Sequence, residues 1–269
     1  MGFSTRNGLS IHYEIHGRGP PLVFLHANPF DRRLWLYQVA RFSPFFRCIS
    51  IDLRGYGHSD KPEDKPFTLQ DMMFDVLGVC DDEDVPQAIF IGCSVGSGIA
   101  MAIATEHPQR AKAVVLVGGS SSGPVDVERI AGGVKQDTLA TYLMHLMRGY
   151  VAPNFAKSAL GDYLLQQFVE DAGQLSAKCI AQIFRARASY DMTDRLPAMT
   201  TPTLVINGEY DNSLAAGKRT AALTPGARHV VLPNTGHACC IEDPEAFDEA
   251  VIAFLRDHRL LPGGAFANP

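Results

Sequence analysis

Five short apolar runs constrain this chain more than any other feature. They are Pro21–Leu25, Arg47–Ile51, Ala88–Ile91, Ala113–Val117 and Thr203–Ile206. Each is too short for a stable helix and lacks the alternation of a half-exposed strand. Each therefore reads as a strand covered on both faces, which is the situation inside a largely parallel sheet. The sequence between them has helical spacing. One such stretch runs from Trp35 to Phe42. Another places Leu69, Met72, Met73, Val76, Leu77 and Cys80 on one face, behind Thr68 as N-cap. Arg228–Leu232 reads as a last strand and Pro244–Leu255 as a final helix, while Asn7-Gly8 signals a hairpin turn within residues 1–17. Strands alternating with helices, without a repeat, predict an α/β fold with a doubly wound, mostly parallel sheet.

The alternation breaks between Ser120 and Pro197. That stretch has no strand-like run, and its helical stretches carry Tyr142, Met144, Met147, Leu164, Phe168, Ile183 and Phe184. It is far longer than the roughly 30 residues of a simple crossover unit. We therefore expect residues 120–197 to form a helical cap inserted between two sheet strands, over a core made of 1–119 and 198–259. Residues 260–269, rich in Gly and Pro, are expected to form a loose tail.

Composition narrows the function. The chain has 269 residues, 46% hydrophobic and 20% charged, with a formal net charge of −5 and no basic stripe. Neither nucleic acid nor an anionic membrane surface is an expected partner. No apolar run approaches the roughly 20 residues of a membrane span. The start lacks the pattern of a signal peptide, so a cytoplasmic location is expected. The six cysteines show no metal-ligand spacing and are expected to be free thiols. A small-molecule substrate with neither cofactor nor metal is the expectation, and oligomeric state is not readable.

Gly92-Cys93-Ser94-Val95-Gly96 follows the third apolar run and opens a helical stretch. A G-x-S-x-G in that setting is a sharp strand-to-helix turn that lifts a serine hydroxyl over the sheet edge, beside the positive end of a helix. A similar Gly-rich turn can hold phosphate, but the Lys-Ser/Thr of a P-loop is missing here. A serine hydroxyl needs a base, normally a histidine held by a carboxylate. Of the nine histidines, His12 and His16 lie on the hairpin, His107 follows a helix, His258 lies in the terminal region, His229 lies inside a strand, and His26 and His58 order loops. His237, in the loop after the last strand, can reach the rim of the sheet. For the acid, Asp211 is preferred over Glu209 in Asn207-Gly208-Glu209-Tyr210-Asp211, with Asp126 and Glu128 as outside candidates. The oxyanion would meet the backbone N–H of Val95 and one from the loop His26–Phe30, for which Asn28 is chosen.

Taken together, these segments resemble the α/β-hydrolases of the capped, cofactor-independent kind, which includes esterases, lactonases and the 3-oxoadipate enol-lactonases. The resemblance runs from about Leu9 to Leu255. It rests on Leu25-His26-Ala27-Asn28-Pro29, Asp52-Leu53-Arg54-Gly55-Tyr56-Gly57-His58-Ser59, the serine turn, Gly208-Glu209-Tyr210-Asp211, and Gly236-His237 through Pro244-Glu245-Ala246-Phe247. It implies Ser94 as nucleophile, Asp211 as acid, His237 as base, and Asn28 and Val95 as oxyanion donors. Three residues depart from the family pattern: Ala27 replaces a usual Gly, Cys93 a common His, and Ser97 a common Gly. None removes a catalytic atom. A serine in place of a nucleophilic aspartate argues against the haloalkane dehalogenase and epoxide hydrolase branches.

The expected activity is hydrolysis of a carboxylic ester or lactone of a small, largely apolar substrate through an acyl-enzyme. The alternatives are a C–C bond or heteroaromatic-ring hydrolase of the same fold, and a hydrolase-derived small-ligand receptor. Tyr142, His145, Met147, Phe168 and Phe184 are candidates to line the substrate pocket. Arg185 and Arg187 could receive a substrate carboxylate. Residues two apart on a helix diverge, however, so a solvated surface is the expected fate of both.

Overall fold

A computed structural model describes residues 1–123 and 126–266. The apolar runs become the centre of an eight-stranded sheet. Its strands are β1 (Gly2–Ser4), β2 (Ile11–His16), β3 (Pro21–Leu25), β4 (Arg47–Ile51), β5 (Ala88–Cys93), β6 (Ala111–Val117), β7 (Thr203–Gly208) and β8 (Arg228–Leu232). The spatial order is β1-β2-β4-β3-β5-β6-β7-β8. β1 pairs antiparallel with β2, and β2 with β4, and every other pairing is parallel. The mostly parallel, doubly wound sheet follows from the sequence pattern. Leu22–Leu25, Cys48–Ile51 and Ala113–Val117 are buried throughout, as strands covered on both faces require. The initial hairpin forms too, although its connection runs from Thr5 to Ser10 rather than over Asn7-Gly8 alone.

Helices cover the two faces: α1 (Leu36–Phe42), α2 (Leu69–Asp82), α3 (Val95–Glu106), α4 (Val127–Gly132), α5 (Leu139–Tyr150), α6 (Pro153–Ala156), α7 (Ala159–Val169), α8 (Ala177–Ala188), α9 (Leu214–Leu223), α10 (Cys239–Glu242) and α11 (Pro244–Asp257). Thr68 caps α2 as expected, in a reciprocal capping box. Its hydroxyl accepts from the Asp71 amide, and the Asp71 carboxylate accepts from the Thr68 amide. Among the described residues, α4–α8 and short 3₁₀ turns are the only regular elements between β6 and β7. No helix of the described residues is long and apolar enough to cross a membrane.

The tail does not hang free as far as it is described. The Phe266 ring lies 5.5 Å from that of Phe42 and 4.7 Å from that of Phe45, with the Arg41 guanidinium 5.2 Å from its centre. Gly and Pro suggested a loose end, but one aromatic side chain gains enough by burial to dock it. The last part of that expected tail, 267–269, lies outside the described residues.

The carboxyl ends of the central strands are joined by polar contacts. His26, after β3, places Nδ1 3.0 Å from the Ala27 carbonyl, and its Nε2 accepts from the Leu53 amide at 2.9 Å. Complete burial lowers its pKa, which keeps the ring neutral and able to accept. Asp52, after β4, accepts from the Arg32 amide and guanidinium, from the His58 amide and from His12. These contacts fix the loops that surround the end of β5.

Candidate active site

Ser94 sits between β5 and α3 with φ 54° and ψ −111°. Positive φ in a non-glycine residue is a strained backbone state that persists only where its surroundings impose it. Here the close approach of strand and helix does so. A Cβ on Gly92 would lie 2.2 Å from the Gly96 carbonyl oxygen, and a Cβ on Gly96 would lie 2.2 Å from that of Leu25. The Ser94 amide donates to the Val117 carbonyl at 2.9 Å, which moors the turn to β6. Val95, next in the chain, is the first residue of α3, so its amide points out of the helix start.

His237 arrives from the loop after β8. Its backbone amide donates to the Tyr150 carbonyl at 2.6 Å, and its ring lies over Gly118, where a Cβ would come within 2.4 Å of Cε1. Gly118 follows Val117, the residue that holds the Ser94 amide, so the imidazole and the serine turn both meet the chain at the carboxyl end of β6. Nδ1 of His237 stands 2.8 Å from Oδ1 of Asp211. That pairing makes Nδ1 the donor nitrogen and leaves Nε2 as the acceptor.

Asp211 is buried and receives three further hydrogen bonds. The Ser213 amide and hydroxyl donate to Oδ1 at 2.8 Å each, and Nδ2 of Asn207 donates to Oδ2 at 2.8 Å. Burial alone would raise its pKa, but His237 and these donors outweigh burial and pull it down to about 2. The carboxylate is thus ionised at neutral pH. The other acids face elsewhere. Glu209 is exposed and accepts from the Asn234 amide, Asp126 approaches Arg129 on the surface, and Glu128 pairs with Arg185.

Ser94, Val95, His237 and Asn28 line one cavity of about 440 Å³. The Asn28 side chain is held by Tyr56, whose hydroxyl donates to Oδ1. Of the five residues expected to line the pocket, Phe184 does so. The other four lie elsewhere, because helical periodicity marks an apolar face without saying what that face meets. Met147 is fully buried in the core, His145 is exposed, and Tyr142 donates its hydroxyl to the Ile130 carbonyl. Phe168 packs edge-on against Phe30 and lines a separate, smaller cavity with Pro29 and Arg33.

Several residues of the site were not singled out in the sequence. Ser213, Asn207 and Gly118 support the Asp211–His237 pair, and Tyr150 and Ile183 line the cavity. Arg187 is the clearest reversal: it is 8% exposed and also lines the cavity. Arg185 does face solvent as expected, paired with Glu128 at 2.9 Å. A signal for Arg187 existed, since Ile180, Ile183, Phe184 and Arg187 fall at i, i+3, i+4 and i+7, on one face of α8.

The chain is similar to known proteins over most of its length. A family model described as the alpha/beta hydrolase family matches residues 22–250. A pimeloyl-[acyl-carrier protein] methyl ester esterase of Vibrio vulnificus (strain YJ016) is 26% identical over 257 residues, covering 91% of this chain and 97% of the relative. The 3-oxoadipate enol-lactonase 2 of Acinetobacter baylyi is 25% identical over 258 residues, covering 94% and 95%. Among solved structures, the enol-lactonase from Burkholderia xenovorans LB400 superposes with a TM-score of 0.86 at 28% identity, covering 94% of this chain and 99% of that one.

Proposed function

Because the chain belongs to the alpha/beta hydrolase family, we propose that it hydrolyses carboxylic esters or lactones of small molecules through an acyl-enzyme on Ser94. The observation that carries this reading is the 2.8 Å contact between His237 Nδ1 and Asp211 Oδ1, beside a cavity that also holds Ser94. The helical segment over that cavity is read as the cap. Its relatives named as an esterase and an enol-lactonase support the reaction class.

In the acylation half, His237 Nε2 takes the proton of Ser94 as Oγ attacks the carbonyl carbon. Asp211 holds the ring in the correct tautomer and stabilises the imidazolium that forms. The carbonyl oxygen, now an anion, is met by the amides of Val95 and Asn28, and losing one such donor costs on the order of 3 kcal/mol of transition-state stabilisation. The C–O bond breaks, the leaving alkoxide or enolate takes the proton from Nε2, and a lactone ring opens. Water then enters, gives its proton to Nε2, and releases the acid while Ser94 regains its hydrogen.

The test is pre-steady-state hydrolysis of a 4-nitrophenyl ester together with labelling by a fluorophosphonate. The wild-type protein should show a burst of nitrophenol and covalent labelling. Ser94→Ala should lose both, with kcat lower by about four orders of magnitude or more. An undiminished burst in that variant refutes the assignment. Slow release limited to a single turnover in the wild type would instead place the chain with hydrolase-derived receptors.

A further inference from the structure

Arg187 is a buried cation without a counter-ion. Its guanidinium donates to three backbone carbonyls: Nη1 to Tyr190 at 3.2 Å, and Nη2 to Ser120 and to Ser122, the latter at 3.1 Å. Among the described residues no carboxylate comes within salt-bridge distance of it. Asp191, the acid that acts on it through space, is itself exposed. Burial accordingly pushes the Arg187 pKa down to about 10. Carbonyl dipoles solvate a cation but do not neutralise it, and an ion taken out of water loses several kcal/mol of hydration. The other buried arginine among the described residues does have an acid: Arg54 lies 2.6 Å from Asp75, and the half-buried Arg32 likewise reaches Glu14 and Asp52.

The guanidinium also has unused donors. Arginine carries five N–H groups. The three contacts leave Nε–H and one hydrogen of Nη1 without an acceptor among the described residues. The Nε–Cδ edge lies against Gly98, where a Cβ would come within 2.9 Å of Nε. Gly98 is one turn along α3 from Ser94, and its amide donates to the Ser94 carbonyl at 3.0 Å. A glycine at that position makes room for the arginine to pass over α3. Of the described residues that line the cavity, Arg187 is the one with a fixed charge. The cavity is therefore lined by a nucleophile and by an uncompensated cation, and that cation packs against α3 one helical turn, ~6 Å of axial rise, beyond Ser94.

We propose that Arg187 receives a carboxylate of the substrate, so that the preferred ester or lactone is one whose acyl part carries a free carboxylate about four single bonds from the scissile carbonyl. This deepens the serine-hydrolase reading and rests on it. A carboxylate there would accept the open Nε hydrogen in a single charge-assisted hydrogen bond, while the spare Nη1 hydrogen points to the other side of the guanidinium and takes no part. It would also supply the missing negative charge, so binding the substrate removes the isolated cation. Cavity residues such as Ile183 and Phe184 would then cover the methylenes between the two ends.

The measurement compares mono-4-nitrophenyl glutarate with 4-nitrophenyl pentanoate, a neutral ester of the same acyl length. The wild-type protein should favour the acid ester in kcat/KM by at least about tenfold. Arg187→Gln should lower that ratio by a similar factor, chiefly through KM for the acid ester, and Arg187→Lys should retain part of it. An equal or greater rate on the neutral ester in the wild type overturns the proposal. So does a parallel loss on both esters in Arg187→Gln, which would mean the guanidinium only clamps the loop after β6 to α8. Should Arg187→Gln fail to fold, the wild-type ratio and the lysine variant still decide. Titration of Ser94→Ala with glutarate reads the site without chemistry. Binding there, with no ester turnover in the wild type, would sink the hydrolase reading and keep Arg187. Turnover without acid preference would do the reverse.

Discussion

Asp211 acts through what it accepts. Two of its four donors come from Ser213 and one from Asn207, and together they turn the carboxylate so that Oδ1 meets Nδ1 of His237. An asparagine at 211 would fit the space, but it would present either an NH₂ where Nδ1–H has to donate or an oxygen too weakly basic to hold the imidazolium. The ring would then favour the tautomer with the proton on Nε2, and Nε2 could not take the serine proton. Asp211→Asn should therefore lower kcat by about 10⁴ while leaving KM within a few-fold. Steady-state kinetics on a 4-nitrophenyl ester check this, and a loss below tenfold would show that another acid serves His237. Glu209 was the rival in the same loop. Its side chain instead accepts from the Asn234 amide, a hairpin-like contact between neighbouring loops.

The elements differ in how much of themselves they show in sequence. Leu22–Leu25 and Ala113–Val117 could be recognised because burial on both faces leaves no polar position in the run. The box that starts α2 could be recognised because Thr68 and Asp71 satisfy each other within one turn. The serine turn was legible for a related reason, since glycines at 92 and 96 answer a local need. A Cβ at Gly96 would meet the backbone oxygen of Leu25, which is fixed in the sheet and cannot give way. Gly96→Ala should thus separate α3 from β3, lowering unfolding free energy by about 1–3 kcal/mol in urea titrations and reducing kcat. A change within about 0.5 kcal/mol would mean the joint tolerates a side chain. What could not be read were contacts between elements distant in the chain. The i, i+3, i+4, i+7 face of α8 was visible, but its partner Gly98 lies far earlier, and only the fold brings Arg187 over it. Phe168 and Met147 were misplaced for the same reason. Their faces are apolar, and the structure presses them on Phe30 and the core instead of the cavity.

On the scale of the molecule, the helical segment and the sheet are joined at the loop that carries His237. The Tyr150 carbonyl, at the end of α5, accepts from the amides of His237 and Ala238 at 2.6 and 3.3 Å. Glu242, at the end of α10, reinforces the same seam. Its carboxylate accepts from the Ala152 amide at 2.7 Å and from the Gly236 amide at 2.9 Å. Burial pushes its pKa from the ordinary 4.5 up to about 7, although the two amides and His237 pull the other way. The folded chain therefore holds this proton at pH values where the unfolded chain has released it. Stability from that proton is complete below about pH 4.5 and is lost as pH rises toward 7. Asp248 is raised as well, to about 6, so the wild-type slope alone does not isolate Glu242. Comparison with Glu242→Gln does, because the variant keeps Asp248 and one acceptor oxygen at the seam. Urea midpoints measured from pH 4.5 to 8 should fall more steeply for the wild type than for Glu242→Gln, with the two curves diverging most across that window. Parallel curves would mean that Glu242 keeps its charge in the fold, and that the seam beside His237 is held by an ion rather than by a neutral acid.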